Sequence, residues 1–359
     1  MNFSNFSRGA LSACVAAAVL AGCGLLPFDF AQGRLAQDDM QAPIGAAGAV
    51  PPGSENTPDR VRPELYVANR GNNTITLYRG RREKPVQTIS NGVGFGNFSY
   101  LLLDKAGNLY SANYEANTVT VYAIGSVNPQ RTISDGLDGP RALALDASGN
   151  LYVANEGGSS VSVYPSGGSS PERTISDGVA TPTSLAFDDS GNLYVGNASY
   201  PYSTVTVYAP GSGYILRTLT SNLDGPNTLL FDKKQNLYVL NWSGQDVVIF
   251  AAGSSTVKRI ISRGIKGPTR MALDRAGNLY VVNQPANTIT FYGGPRMAYR
   301  GEITDGINNP YWLTFDAAGT LYVSNYGNNT ITIYAHGSGL NSGTISDGID
   351  TPAAMTFGR

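Results

Sequence analysis

Charged residues are scarce in this sequence of 359 residues. Lys, Arg, Asp and Glu together make up 14%, and the formal net charge at pH 7 is -1. A nucleic-acid partner needs a strongly basic face, so the composition predicts that no nucleic acid is bound. The hydrophobic fraction is 42%, and a chain of this length can bury a sizeable core.

Histidine and cysteine are nearly absent as well. His336 is the one histidine, and the two cysteines, Cys14 and Cys23, lie near the N-terminus. The sequence therefore lacks a Cys/His metal cluster, and it has neither a phosphate-cradling loop nor a recognisable nucleophile elbow. We expect no cofactor. The sequence favours a role other than catalysis and leaves enzymatic activity open.

The first 22 residues have the features of an export signal. Arg8 supplies the positive charge, and residues 11–20 form an apolar stretch too short for a committed membrane span. The stretch runs into Leu-Ala-Gly before Cys23, which resembles the lipobox of bacterial lipoproteins. That resemblance implies cleavage before Cys23 and acylation of its thiol with palmitate-type chains. An ordinary secretory signal followed by an unrelated cysteine is the alternative.

The predicted anchor also indicates a location. Residue 24 is Gly rather than Asp, and by resemblance to Gram-negative sorting rules this favours the outer membrane, on its periplasmic or surface side. The stretch up to residue 62 is rich in Ala, Gly, Pro and Gln, which is typical of a flexible tether. We therefore predict a signal peptide (1–22), a lipidated cysteine with its tether (23–62) and a folded domain (63–359).

One five-residue phrase dominates the folded domain. Leu-Tyr-Val-Ala-Asn or a close variant begins at seven positions: Leu65, Leu109, Leu151, Leu193, Leu237, Leu279 and Leu321. The intervals of 42 or 44 residues indicate a repeat architecture. One copy contains four short strand-like segments, at 142–145, 151–154, 160–164 and 173–176, separated by Gly-containing turns.

Four antiparallel strands in one such repeat form a propeller blade. Each strand position occurs seven times, and no segment has a helical period. The chain enters at a second strand, at Leu65, and ends with a first strand, at 353–357. We therefore predict an all-β fold, a seven-bladed β-propeller of four-stranded blades that is closed by a blade shared between the N- and C-terminal ends.

The repeat unit has the form Pro-x-x-Leu-Ala-x-Asp-x-x-Gly-Asn-Leu-Tyr-Val-Ala-Asn…Thr-Val-Thr-Val-Tyr. It resembles the NHL repeat and is similar to the repeats of gluconolactonase-like and YncE-like bacterial propellers. It departs from the commoner NHL form by ending the second strand in Asn where Asp is usual. The family includes binding modules, lyases and lactonases, so the resemblance implies a fold and leaves the function open.

Propellers of this kind usually bind ligands on the face that gathers the loops between strands two and three and the interblade turns. The repeats differ most at that face, which favours a binding surface there, with ordinary variation of exposed loops as the alternative. An aromatic rim suits stacking against a glycan, a peptide or a protein partner. The predicted ligand-binding residues are Tyr100, Arg141, Tyr200, Tyr202, Trp242, Arg270, Tyr311, Trp312 and Tyr326, with Tyr114, Asn227 and Gln284 on the same face.

The enzymatic alternatives have weaker support. Gluconolactonase-like enzymes bind a metal through Glu, Asn and Asp, which makes Glu115 and Glu156 the weak metal candidates by resemblance. The seven asparagines that end the second strands could contact an ion, but capping of local backbone explains them better. Streptogramin lyases, which share the fold, use a histidine base, whereas His336 is expected on the opposite face.

Three functional hypotheses follow. The first is a lipid-anchored binding module of the cell envelope, without catalysis, that takes a protein, peptide or glycan partner. The second is a metal-dependent lactonase or related hydrolase of the gluconolactonase-like type. The third is an assembly scaffold in an envelope complex.

Overall fold

The computed structural model describes residues 63–80 and 83–358. The predicted signal peptide (1–22), Cys23 and the tether (23–62) lie outside the described residues. The described ranges consist of strands and turns, and they contain no helix with the length and apolar character needed to cross a membrane.

The described part of the chain forms 28 strands. The first fourteen are β1 (Glu64–Asn69), β2 (Thr74–Arg79), β3 (Gln87–Ile89), β4 (Ser99–Leu103), β5 (Leu109–Asn113), β6 (Thr118–Tyr122), β7 (Arg131–Ile133), β8 (Pro140–Leu145), β9 (Leu151–Asn155), β10 (Ser160–Tyr164), β11 (Arg173–Ile175), β12 (Pro182–Phe187), β13 (Leu193–Asn197) and β14 (Thr204–Tyr208). The others are β15 (Ile215–Leu219), β16 (Pro226–Phe231), β17 (Leu237–Asn241), β18 (Asp246–Phe250), β19 (Val257–Ile261), β20 (Pro268–Leu273), β21 (Leu279–Asn283), β22 (Thr288–Gly293), β23 (Ala298–Ile303), β24 (Pro310–Phe315), β25 (Leu321–Asn325), β26 (Thr330–Tyr334), β27 (Asn341–Ile345) and β28 (Pro352–Gly358).

These strands form seven antiparallel sheets of four strands, which are the blades. Blade 1 has the order β28-β1-β2-β3, and blades 2 to 7 each use four consecutive strands, beginning at β4, β8, β12, β16, β20 and β24. The first strand of each blade contacts the first strand of the next, and β28 contacts both β24 and β4. The blades therefore form a closed ring, which confirms the predicted seven-bladed β-propeller.

Blade 1 joins the two ends of the propeller. β28 pairs with β1, so that Phe357 lies opposite Leu65 and Met355 lies opposite Val67. β2 pairs with the other side of β1, and β1 therefore has no free edge. This arrangement confirms the predicted closure by a shared blade.

The inner strands begin earlier than the apolar pattern predicts. β8 starts at Pro140 rather than at Ala142, and its ladder with β9 shifts between these two residues. A proline is tolerated there because it is the first residue of the strand and its missing N–H interrupts no ladder bond. The shift falls at Arg141, which lies between the two paired residues.

Aspartate closes the turn between the first and second strands. In blade 3, Asp146 Oδ1 accepts hydrogen bonds from the backbone N–H groups of Ser148 and Asn150, each at 2.9 Å. Gly149 has φ 84°, in the left-handed region that glycine adopts at little cost. The Asp-x-x-Gly-Asn part of the repeat is therefore a requirement of this turn.

Each blade holds the turn that arrives from the preceding blade through the asparagine that ends its second strand. In blade 3, Asn155 Oδ1 accepts the N–H of Asp138 at 3.3 Å, and its Nδ2 donates to the Gly136 carbonyl at 3.2 Å. The same amide nitrogen donates to the hydroxyls of Ser160 and Ser162 on the third strand. The asparagines thus cap backbone, as expected, but the backbone belongs to the interblade turn.

A tyrosine at the end of the third strand adds a further bond to this turn. The Tyr164 hydroxyl donates to the Asp135 carbonyl at 2.6 Å, and burial raises its pKa to about 12, so the phenol stays protonated. We call the asparagine, the third-strand hydroxyl residue and this tyrosine the interblade clamp. Equivalent tyrosine bonds come from Tyr78, Tyr122, Tyr208, Tyr292 and Tyr334.

Blade 5 departs from this pattern. Val248 occupies the position of Ser162, and Phe250 occupies the position of Tyr164. Asn241 still donates to the carbonyl of Asn222 in the incoming turn, at 2.8 Å. This clamp therefore keeps the asparagine and lacks both hydroxyls.

Apolar side chains fill the spaces between neighbouring blades. Every residue of β9 is buried, so both faces of this second strand are covered. Tyr152 packs edge-on against Phe187 of blade 4, with ring centroids 5.0 Å apart. Complete burial of such a side chain stabilises the fold by roughly 1.5–3 kcal/mol.

We expect Asn155→Ala to lower the free energy of unfolding by about 2 kcal/mol, because the Asp138 N–H would lose its partner and the Gly136 carbonyl would keep only the Ser162 hydroxyl. Tyr164→Phe should cost less, about 1 kcal/mol, since it removes a single hydroxyl bond. Urea denaturation followed by tryptophan fluorescence and circular dichroism measures both changes.

Tyr202→Phe is the matched control for the tyrosine variant, because the Tyr202 side chain is 82% exposed. Its unfolding midpoint should match that of the unmodified chain. A cost for Asn155→Ala no larger than that of the Tyr202 control would contradict the role assigned to the clamp.

Candidate functional site

The loops between the second and third strands meet the interblade turns on one face of the propeller. The Glu156 N–H donates to the Gly139 carbonyl at 2.9 Å, and the Trp242 N–H donates to the Gly225 carbonyl at 2.8 Å. In both cases a second-to-third-strand loop contacts the turn that enters its own blade. The inner strands start at this face, so side chains from loops, turns and strands converge around the central channel.

A cavity of about 520 Å³ opens at this channel mouth. We call it the channel-mouth cavity. Its walls come from blades 2 to 7, and five of the predicted ligand-binding residues line it: Arg141, Tyr200, Trp242, Arg270 and Tyr311. Asn227 and Gln284, which were placed on the same face, line it as well.

A second cavity, of about 370 Å³, lies along the channel. It shares Thr183, Asn227 and Arg270 with the channel-mouth cavity, so the two spaces adjoin. Tyr100 and Trp312, two further predicted residues, line this second space. Their rings contact each other edge-on, with centroids 5.8 Å apart.

Arg270 connects the two spaces. Its guanidinium lies over the Trp312 ring, 4.5 Å from the centroid, and its Nη1 donates to the Thr269 carbonyl at 3.0 Å. The surrounding protein desolvates the guanidinium, which lowers the pKa of Arg270. The two ion pairs of the described residues are Arg79–Glu64 and Arg141–Glu156, so the charge of Arg270 has no carboxylate partner there.

Arg141, in contrast, has a carboxylate partner, although its Nε has no hydrogen-bond partner. Its guanidinium pairs with Glu156 and lies 4.0 Å from the centroid of the Phe98 ring. Its Nη2 also donates to Asn227 Oδ1 at 3.1 Å, and Asn227 Nδ2 donates to the Thr269 carbonyl at 2.7 Å. This chain of bonds crosses from blade 3 to blade 6 and holds one wall of the cavity in place.

Glu156 also acts on the neighbouring blade. The pKa of Tyr114 is raised mainly by burial and to a smaller extent by the negative charge of Glu156. Tyr114 in turn contacts Phe98 edge-on, with centroids 5.0 Å apart. The cavity wall therefore contains one carboxylate that is held by an arginine and faced by a phenol.

The outer rim of the site is aromatic and exposed. The exposed fractions of the side chains are 93% for Tyr200, 82% for Tyr202 and 59% for Trp242. Tyr202 is on the predicted face but not among the residues that line the cavity.

Tyr326, the remaining predicted residue, sits beside Tyr311. The two rings are tilted by 37°, with centroids 6.4 Å apart. The Arg70 guanidinium lies 5.8 Å from the Tyr311 centroid and 5.7 Å from that of Tyr326. Tyr326 therefore supports Tyr311, and Arg70 places a second positive charge near this part of the rim.

The two metal candidates are placed differently. Glu156 lines the cavity, whereas Glu115 is exposed and packs beside Gly96. Within 63–80 and 83–358, no three His, Cys, Asp or Glu side chains are grouped closely enough to hold a metal ion. His336 lies beside Gly319 in a turn between first and second strands, which is the opposite face, as expected.

Sequence reasoning missed several cavity residues, of which Phe98 is the clearest. Six inner strands begin with Pro, and Phe98 occupies that position in blade 2. Alignment of the repeats shows that this one proline is replaced by Phe98. The replacement places an aromatic ring against the guanidinium of Arg141. Thr183 and Thr269 were also missed, because small polar residues at a strand start carry no distinctive pattern.

Comparisons with known proteins support the fold. No family model matches this chain, and no curated protein sequence matches it, so the NHL-type resemblance stays a prediction. Among solved structures, a "putative 6-phosphogluconolactonase" of Bacteroides fragilis is similar at a TM-score of 0.67 and 17% identity, covering 85% of this chain and 100% of that one.

Two further structures give the same result. A protein of the same description from Bacteroides uniformis has a TM-score of 0.67 and 17% identity, covering 83% of this chain and 99% of that one. A functionally unknown protein from Desulfotomaculum acetoxidans has a TM-score of 0.65 and 11% identity, covering 82% and 98%. At such identities the likeness shows the propeller fold alone.

Proposed function

We propose that this protein is a binding module whose channel-mouth cavity takes a small sugar-like ligand with an anionic group. The observation that carries the proposal is Arg270, a desolvated cation that lines the cavity and has no carboxylate partner in the described chain. Arg270 is half-buried, and a charge that is partly withdrawn from water without a counter-charge is costly. An anionic group of a ligand would offset that cost.

The aromatic walls favour the sugar-like part of this ligand. Trp242, Tyr200 and Tyr311 line the same cavity as Arg270, and aromatic faces pack against the apolar faces of sugar rings. A volume of about 520 Å³ lies in the range of small-molecule sites. Asn227 and Gln284 supply neutral hydrogen-bonding groups that could orient hydroxyls.

We expect the chain to bind D-glucuronate, which combines a pyranose ring with a carboxylate, more tightly than neutral D-glucose. Arg270→Met should weaken glucuronate binding by about tenfold to a hundredfold, because it removes a charged hydrogen-bond donor and keeps an apolar stem. Isothermal titration calorimetry measures both affinities.

Arg79→Met is the control, since Arg79 is a surface cation paired with Glu64 and is remote from the cavity. It should leave glucuronate affinity unchanged. Equal binding of glucuronate by the Arg270 and Arg79 variants would contradict the proposal, and so would the absence of any glucuronate binding by the unmodified chain.

Hydrolysis of a sugar lactone is the second candidate, because two structural neighbours bear the name of a phosphogluconolactonase and Glu156 presents a carboxylate to the cavity. In this candidate function Glu156 would act as the base for a water molecule or contribute one ligand to a metal ion, whereas Glu115, the other metal candidate, does not line the cavity. Glu156 forms an ion pair with Arg141.

If the chain is a lactonase, D-glucono-δ-lactone should be hydrolysed faster than its spontaneous rate, and Glu156→Gln should lower kcat by about a hundredfold. A pH-stat assay with and without EDTA, together with metal analysis of the purified protein, separates metal-dependent from metal-free hydrolysis. Glu172→Gln, an equivalent change outside the cavity, is the control. A lactone consumed at the spontaneous rate would exclude this candidate.

We also propose that the propeller is anchored in the cell envelope through an acylated Cys23. The support is the Leu-Ala-Gly-Cys sequence at positions 20–23 and the apolar stretch before it. Gly24 favours the outer membrane.

Cys23→Ala should move the protein from the membrane fraction to the soluble fraction of a Gram-negative expression host, because the acyl chains would be lost. Immunoblots of sucrose-gradient fractions and metabolic labelling with a palmitate analogue measure this. Cys14→Ala removes the other cysteine and should change neither result. An unlabelled protein that stays soluble without the substitution would overturn the anchor.

A further inference from the structure

Positive charge is concentrated in two neighbouring blades. The segment 231–302 contains ten basic and four acidic residues, whereas the remaining described residues contain eight basic and seventeen acidic residues. The segment therefore carries a net charge of +6, and the rest of the described chain carries -9. The ten basic residues of the segment are Lys233, Lys234, Lys258, Arg259, Arg263, Lys266, Arg270, Arg275, Arg296 and Arg300.

Most of these cations lie on the face opposite the channel-mouth cavity. They occupy turns between first and second strands, turns between third and fourth strands, and the fourth strands β19 and β23. Seven of them have exposed side chains: Lys233, Lys234, Lys258, Arg259, Arg275, Arg296 and Arg300.

A groove of about 630 Å³ lies among these cations, between blades 5 and 6. We call it the basic groove. Its basic lining residues are Lys233, Lys234, Lys258 and Arg259. Ile249 and Met297 contribute apolar surface to the same space. The groove is therefore a concave site with cations in its walls.

The two aspartates of the groove do not form ion pairs with these cations. Asp232 Oδ1 accepts the N–H groups of Lys234 at 2.8 Å and Asn236 at 2.9 Å, and Asp274 accepts the N–H of Asn278 at 2.8 Å. Both carboxylates thus close their own turns, as Asp146 does in blade 3.

The lysines contact neutral oxygens instead. Lys233 Nζ donates to the Arg275 carbonyl at 2.7 Å, and Lys258 Nζ donates to Asn236 Oδ1 at 3.1 Å. Neither of the two ion pairs in the described chain involves a groove residue. A cluster of like charges repels itself, and the groove therefore favours occupation by a multivalent anion.

We infer that the basic groove binds a compact polyanion that carries at least two phosphate groups. Lysine is a mobile point charge that suits phosphate, and arginine can bond two phosphate oxygens at once. The site is separate from the channel-mouth cavity, and the inference does not depend on the proposed function.

A compact ligand fits better than a flat anionic membrane. The same face carries the adjacent acids Asp188 and Asp189 in blade 4 and Asp146 in blade 3. A bilayer that covered the face would approach these carboxylates as well as the cations. A ligand seated between blades 5 and 6 contacts the basic sector alone.

The test is titration of the full chain with sodium tripolyphosphate in isothermal titration calorimetry at about 0.05 M salt, where exposed charges are weakly screened. We expect one binding site per chain. The double variant Lys234→Met/Lys258→Met should bind tripolyphosphate about tenfold more weakly, since it loses two charges and keeps the apolar stems.

The matched control is Lys84→Met/Lys105→Met. Lys105 occupies in blade 2 the turn position that Lys233 occupies in blade 5, so the control removes the same charge outside the groove. It should leave affinity within about twofold of the unmodified chain. Thermal unfolding of both double variants verifies that they are folded.

Three outcomes would overturn the inference: tripolyphosphate fails to bind, both double variants weaken it equally, or neither does. Co-sedimentation with phosphatidylglycerol vesicles forms a separate arm. Vesicle binding that depends on Lys234 and Lys258, without tripolyphosphate binding, would assign the groove to a membrane surface instead. Glucuronate affinity of the groove variant should be unchanged, which keeps this result distinct from that of the channel-mouth cavity.

Discussion

The hydrogen bonds of the interblade clamp are the constraint on which the propeller depends. A blade buries its apolar faces against two neighbours, but apolar contact alone does not fix the angle between sheets. The clamp fixes it, because Asn155 and Tyr164 of one blade bond the backbone of the turn from the blade before. The turns held in this way also place the inner strands, and those strands start at the channel mouth.

The candidate site is built from positions that take no part in the interblade clamp. Clamp residues are buried and repeated, so they cannot differ between blades without loss of a turn bond. The positions just after each inner-strand proline have no such duty, and they can hold Arg141, Asn227 or Tyr311 as the site requires. The ladder shift at Pro140 contributes to this freedom, because it takes one residue out of the paired register. A symmetric scaffold thus supports an asymmetric cavity.

This division explains what could be predicted from sequence. The blade number, the shared blade and the meeting of loops and interblade turns on one face follow from repeated residues, because the same bonds are needed in every copy. The partners of Arg141 could not be predicted in this way, since Asn227 is 86 positions away and Phe98 belongs to another blade. The basic groove was missed for a different reason. A formal net charge of -1 is an average, and it conceals the separation of +6 from -9 along the ring.

Blade 5 makes the seven joints of the ring unequal. Val248 and Phe250 remove two hydroxyl groups from its clamp, and Asn241 alone of the three clamp positions still bonds the turn from blade 4. A closed ring has no terminal repeat from which to fray, so we expect it to open first at a joint whose clamp is reduced. That joint adjoins Trp242 on one face and Lys233 on the other. Blade 5, the blade with the reduced clamp, therefore supplies walls to both the channel-mouth cavity and the basic groove, as its neighbour blade 6 does.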